Sequence, residues 1–210
     1  MEQLLQHLLN ALILGGTYAL LGIGLTMIFG IMNVVNFTHG ELYTFGAYMV
    51  FFFVMSLNQN FFLALPVAIL LGMLLGGAIE FTLLRPLRGA DIDTTMLIMI
   101  GAWIALQNTE QLVWSGISKS VNHPFPVEPL VLGPVSVSWI RVFVFVAAAV
   151  LIVGSHMLIN RTRLGRAMRA TFQDRETAAL MGVNINGIHT ATFALGSGLA
   201  AAAGRSEERR

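Results

Sequence analysis

Long apolar runs alternate along this chain with short polar interruptions. The first run, Leu8 to Met32, carries no charge and is long enough to cross a hydrocarbon layer of about 30 Å at about 1.5 Å rise per residue. Comparable runs follow at Leu42 to Leu57, Phe61 to Leu84, Thr94 to Trp114 and Trp139 to Ile159, with a last one from Ile188 to Gly204. The pattern predicts an all-α fold, a polytopic transmembrane helix bundle of about six spans. Between the runs, 58–60 makes a polar turn, and Arg85-Pro-Leu-Arg88-Gly stops the third span. Glu80, near the inner end of that span, is expected to snorkel to the interface. The loop Ser115 to Ser138 is rich in Pro, Val and Ser and is expected outside, with a short β-hairpin around Gly133-Pro134.

Two interruptions carry more chemistry than a turn requires. From Asn33 to Tyr48 the chain places Asn33, Asn36, Thr38, His39 and Glu41 between apolar runs. Polar groups so close to hydrocarbon are costly unless buried against protein or water. A broken helix with freed backbone groups around Gly40 would suit a translocation path; a short turn between two spans is the plainer alternative. The second interruption, Asn160 to Gly187, gathers Arg161, Arg163, Arg166, Arg169 and Arg175. Arg163, Arg166 and Arg169 recur every three residues while Leu164, Met168 and Phe172 recur every four, so a helix here separates a cationic face from an apolar one. Such a helix lies on a membrane surface. Next, Asp174 can cap a second short helix, Glu176 sits in its first turn, and Gly182 supplies the left-handed residue that ends it.

Composition agrees with the membrane reading. Hydrophobic residues make up 56% of the 210 and charged residues 11%, with a mean hydropathy of +0.74, outside the range of soluble domains. The net charge of +1 matters less than its placement. Arginines cluster at 85–88 and in the second interruption. The positive-inside rule therefore assigns both to the cytoplasm, and counting spans back puts the N-terminus outside. Cysteine is absent, which excludes a disulfide framework and a cysteine metal site. The N-terminal stretch has no basic region or small-residue cleavage site, so its apolar run is expected to be retained.

At two places the residues resemble a known family. Arg163-Leu-Gly-Arg-Ala-Met-Arg-Ala170, Asp174 and Glu176-Thr-Ala-Ala-Leu-Met-Gly-Val-Asn184 look like the cytoplasmic coupling loop of ABC importer permeases of the branched-chain amino-acid (LivH/LivM) type. Glu176, Ala178 and Gly182 match the pattern such permeases present to their ATPase, and Thr177 departs from it. Asn36-x-x-His39-Gly40-Glu41 with Gly46-Ala47-Tyr48 resembles the N-terminal motif of the same family. The resemblance implies a substrate pathway at Asn33, Asn36, Thr38, His39 and Glu41, and ATPase coupling at Arg166, Arg169, Asp174, Glu176, Ala178 and Gly182. It further implies a second permease subunit, two cytoplasmic ABC ATPase subunits, a periplasmic substrate-binding protein, a bacterial inner-membrane location and no cofactor.

The missing motifs narrow the function. Lys119, the only lysine, is not in a P-loop, so ATP must be handled by another subunit. His39-Gly-Glu41 lacks the second histidine of a zinc helix, and no metal site is expected. The basic stretch 164–172 lies between spans, which argues against nucleic acid. Uptake of branched-chain amino acids is the first reading, and urea or short-chain amides are the alternative within the family. Outside it stands an ion-coupled carrier or channel using Glu41 and His39. The expected organisation is a permease domain over 1–204, including the coupling loop 160–187, and a charged tail at 205–210. The last run rises only about 26 Å, and its face of Gly196, Gly198, Ala200, Ala201 and Ala203 is expected to pack on helices that the chain does not supply. Truncation is the expectation that follows.

Overall fold

The computed structural model describes residues 2–57, 60–115, 124–126, 128–132 and 135–204. The expected charged tail at 205–210 and the hairpin's Gly133-Pro134 turn lie outside the described residues. Among the described residues eight α-helices follow in order: α1 (Glu2–Met32), α2 (His39–Phe51), α3 (Phe61–Ile79), α4 (Ile92–Trp114), α5 (Trp139–Arg161), α6 (Arg163–Gln173), α7 (Arg175–Leu180) and α8 (Ile185–Gly204). Wider π-helical turns extend α2 through Phe52–Ser56 and α3 through Glu80–Leu84. Leu130–Leu132 (β1) and Val135–Val137 (β2) pair antiparallel in the expected hairpin. Among the described residues, Gln3–Met32, Phe61–Leu84 and Trp139–Arg161 are long and apolar enough to cross a membrane. The other three long segments, α2, α4 and α8, carry the polar side chains discussed below.

Contacts at the helix ends define the two faces of the bundle. At one end, Gln6 on α1 exchanges hydrogen bonds with the Ser136 backbone at 2.9 and 3.0 Å. Nearby, Arg141 donates to Asn10 at 2.9 Å, and the rings of Phe61, Phe125 and Phe143 meet edge-on or tilted with centroids within 6.1 Å. At the other end, the Phe172 ring of α6 covers Gly30 of α1. Arg85, Arg88 and the α6–α7 arginines belong to that second end.

α8 sits at the centre, against α1, α2 and α3, and this overturns the expectation that its small-residue face lacks partners. Gly196, Gly198, Ala200, Ala201 and Ala203 are all buried. Gly196 lies against Ile28 and the Gly24 carbonyl, Gly198 against Met73, and Ala201 against Gly46 and Gly72. Lipid tails are as apolar as leucine, so such helices associate by close van der Waals packing, which small residues permit. α8 also starts earlier than its apolar run: Asn184 accepts from the Gly187 amide at 3.1 Å, and the helix of 20 residues rises about 30 Å. Larger side chains fill the space around it, with Ile28, Leu42, Met99 and Phe193 fully buried in one cluster.

Glu80 does not snorkel. Its side chain is fully buried, accepts a hydrogen bond from Thr190 of α8 at 2.6 Å and is ion-paired with Arg88. A buried carboxylate is tolerated when it is paired and hydrogen-bonded.

Candidate functional site

The first candidate site is the break between α1 and α2. It falls at 33–38, not around Gly40, which is already inside α2. Asn33 takes a left-handed conformation at φ 54°, a conformation to which asparagine is better suited than most residues. The chain then doubles back. His39, the first residue of α2, places Nε2 3.1 Å from the Leu21 carbonyl, and its ring also faces Gly24. Since Leu21 to Gly24 lie 8–11 residues before the end of α1, α2 begins about 12–16 Å along α1 from that end. His39 is thereby carried back along α1 to the level of Leu21 and Gly24.

Their local geometry follows from side-chain chemistry. Asn36 Oδ1 accepts from the Thr38 amide at 3.1 Å and from Thr38 Oγ1 at 2.6 Å, an Asx turn. Asn36, Thr38 and His39 are buried, whereas Asn33 is exposed and Glu41 half-buried. A carbonyl can only accept, so His39 Nε2 carries the hydrogen and Nδ1 is left as an acceptor. At the break, the donor Asn36 Nδ2 and the acceptor His39 Nδ1 are buried and have no hydrogen-bond partner among the described residues. Glu41 Oε1 accepts from Trp103 Nε1 of α4 at 2.9 Å. Glu110, also on α4 and buried, shares a side-chain hydrogen bond with Glu41. The sequence analysis missed Trp103 and Glu110. Glu110 carried a usable signal, being an ionisable residue inside an apolar run.

The second candidate site is the loop between α5 and α8. Thr162 caps α6, accepting from the Gly165 amide at 3.0 Å. Gly165 is pressed against the Leu158 and Ile159 carbonyls, where a Cβ would not fit. The sharp α5–α6 turn therefore requires glycine at that position. Arg169 donates to the Ile159 carbonyl and, at 3.3 Å, to Asn160 Oδ1, so it closes the C-terminus of α5. Arg163 and Arg166 are exposed. Of the expected apolar face, Met168 is buried and Leu164 half-buried, but Phe172 is 64% exposed. Gly165 and Thr171 occupy the buried side instead.

α7 has the expected caps. Asp174 accepts from the Glu176 and Thr177 amides at 2.9 and 3.1 Å and from Thr177 Oγ1 at 2.6 Å. These bonds, led by the Thr177 hydroxyl, hold its pKa below the ordinary aspartate value. At the other end, the Val183 amide donates to Ala178 and the Gly182 amide to Ala179, each at 3.0 Å, with Gly182 at φ 86°. That is a Schellman motif. Ala178 is buried, while Leu180 and Met181 are 87% and 81% exposed. A short helix capped at both ends thus presents Leu180, Met181 and Glu176 outward.

A central helix of small residues, a polar break folded back along α1, a capped helix at one end and three helices long and apolar enough to cross a membrane describe a multi-pass membrane transport subunit. A family profile for the permease component of branched-chain amino acid transport systems matches residues 7–206, and the chain belongs to that family. It is 35% identical over 212 residues to the high-affinity branched-chain amino acid transport system permease protein BraD of Pseudomonas aeruginosa, covering 95% of this chain and 69% of that one. The corresponding LivH protein of Escherichia coli is 30% identical, with the same coverage. A probable LivH of Methanocaldococcus jannaschii is 28% identical over 93% of this chain and 63% of its own length. No solved structure matches the chain.

Proposed function

We propose that the chain is the membrane-spanning permease subunit of an ATP-driven importer of branched-chain amino acids, in a bacterial inner membrane. The carrying observation is the break at 33–38. It sets an unpartnered donor, Asn36 Nδ2, and an unpartnered acceptor, His39 Nδ1, near Glu41 on α2. An amino-acid zwitterion brings a carboxylate to accept and an ammonium to donate, so it complements all three groups. The substrate path borders Asn33, Asn36, Thr38, His39 and Glu41. Weak, transient contacts suit it, because tight binding would slow release, and selectivity then rests with a periplasmic binding protein.

α7 docks into a groove on an ATPase. Leu180 and Met181 are apolar side chains at its outer end, Glu176 is the polar contact, and Asp174, Ala178 and Gly182 fix the helix. Arg166 adds an exposed cation on α6, while Arg169 orients α6 on α5. The arginine end faces the cytoplasm by the positive-inside rule. The assembly this implies has a second permease subunit, two ATPase subunits and the binding protein.

Uptake by cells producing the chain with these partners tests the reading. Labelled leucine, isoleucine and valine should accumulate in an ATP-dependent way that survives a protonophore. Accumulation of urea or acetamide instead would move the substrate class. Collapse of leucine uptake by the protonophore, with ATP maintained, would replace the importer by an ion-coupled carrier.

A further inference from the structure

The contact between α3 and α8 follows one row on α3: Gly72, Gly76 and Glu80, each one turn from the next. Gly72 meets Ala201 and Gly76 meets Ser197, with no space for a Cβ at either glycine. Beside that row Met73 lies against Gly198, and Phe193 of α8 shares one buried cluster with Ile79, so apolar packing seats the two helices and a polar contact at the end of the row adds to their register. Glu80 supplies that contact. Its Oε2 accepts from Thr190 Oγ1 of α8 at 2.6 Å, and its Oε1 accepts from Arg88, just beyond the end of α3.

This node lies beside the candidate docking helix. The turn from Met181 to Asn184 joins α7 directly to α8, the helix that carries His189 and Thr190. His189 is buried, neither ring nitrogen has a partner among the described residues, and it stands within electrostatic reach of both Arg88 and Arg175, the first residue of α7. Further along α8, Gly196 lies against Gly24, and the His39 ring lies against the same glycine. One helix thus meets the node at Thr190 and, at Gly196, the glycine of α1 on which the His39 ring packs.

We propose that Glu80 is a positioning residue: held by Arg88 and Thr190, it pins α3 to α8, so that displacement of α7 is transmitted along α8 to the break. The inference rests on α7 being the ATPase-docking helix. A buried carboxylate held from two elements allows one register and penalises the others, which is what a transmitting contact needs.

The test uses the assembled transporter in liposomes, with its binding protein, and reads two quantities: ATPase retained on the permease after detergent extraction, and leucine moved per ATP hydrolysed. Thr190→Val keeps the shape and removes the hydroxyl. Glu80→Gln with Arg88→Met removes both charges together and leaves no unpaired buried ion. ATPase retention should stay at the wild-type level in both variants, leucine moved per ATP should fall about fivefold or more, and Thr190→Ser should restore it. A wild-type ratio in Thr190→Val overturns the proposal, as does a fall that Thr190→Ser does not reverse; this variant decides even if the double variant does not assemble. Failure of the docking reading has a separate signature: Glu176→Ala with Gly182→Val would then keep full coupling.

Discussion

Gly24 on α1 and Gly196 on α8 cross backbone to backbone: a Cβ added to Gly24 would stand 2.8 Å from the Gly196 carbonyl oxygen, and one added to Gly196 would stand 2.9 Å from the Gly24 carbonyl oxygen. Neither neighbour is the end of a flexible side chain, so the helices themselves would have to separate. The His39 ring is also within 3.1 Å of the added atom at Gly24. Gly24→Val is expected to cost about 1–3 kcal/mol, the range for overpacking, and to displace His39. The thermal midpoint of the purified permease in detergent should fall, and Gly22→Val, where nothing lies within 4 Å, should leave it in place.

Asp174 makes the order of α7 depend on pH. Its folded pKa is depressed by the Thr177 hydroxyl and the two amides. The stabilisation is therefore fully present above the ordinary aspartate value and is lost as pH falls through the lower folded value. Protection factors of the Glu176 and Thr177 amides against hydrogen exchange should be high at neutral pH and unchanged down to the ordinary aspartate range. Below that range protection should decline. Asp174→Ala should expose both amides at neutral pH, and equal protection in that variant would remove the cap from the account.

Gly182→Val forces a β-branched residue into φ 86°, at a cost of roughly 1–2 kcal/mol, and so frays the end of α7 that carries Leu180 and Met181. With Glu176→Ala added, transport-coupled ATP hydrolysis should be lost. Full coupled activity in this double variant would mean that α7 is not the docking helix.

How far the sequence discloses the structure depends on distance along the chain. Asp174, Glu176 and Gly182 lie in or beside one short helix, so the capping chemistry is readable directly, and the structure has both caps. The hairpin at β1 and β2 is local in the same way. Depth along the bundle is not local. That His39 returns to Leu21 depends on the whole length of α1 and on the doubling back at Asn33, so the break appears in the sequence a few residues too late. Glu80 and Thr190 are 110 positions apart, and nothing near Glu80 signals a buried partner. The small-residue face of α8 is plainly a packing face in the sequence, but its partners, Gly24, Gly46, Gly72 and Gly76, lie on three other helices and are identified only by the fold. Phe172 has the spacing of a buried residue yet is largely exposed, because Gly165 brings α6 so close to α5 that the helix buries a different side.

The central claim is that the polar break folded back along α1 forms the substrate path, and Glu41→Ala tests it most directly. The variant removes the carboxylate that meets Trp103 and Glu110 while leaving α7 untouched. In liposomes containing the assembled transporter, the initial rate of leucine uptake should fall about tenfold or more, a loss of about 1.4 kcal/mol or more in the transport barrier, with ATPase bound to the permease at wild-type stoichiometry. Wild-type uptake by Glu41→Ala would contradict the account and leave Glu41 as a residue of the α2–α4 contact alone.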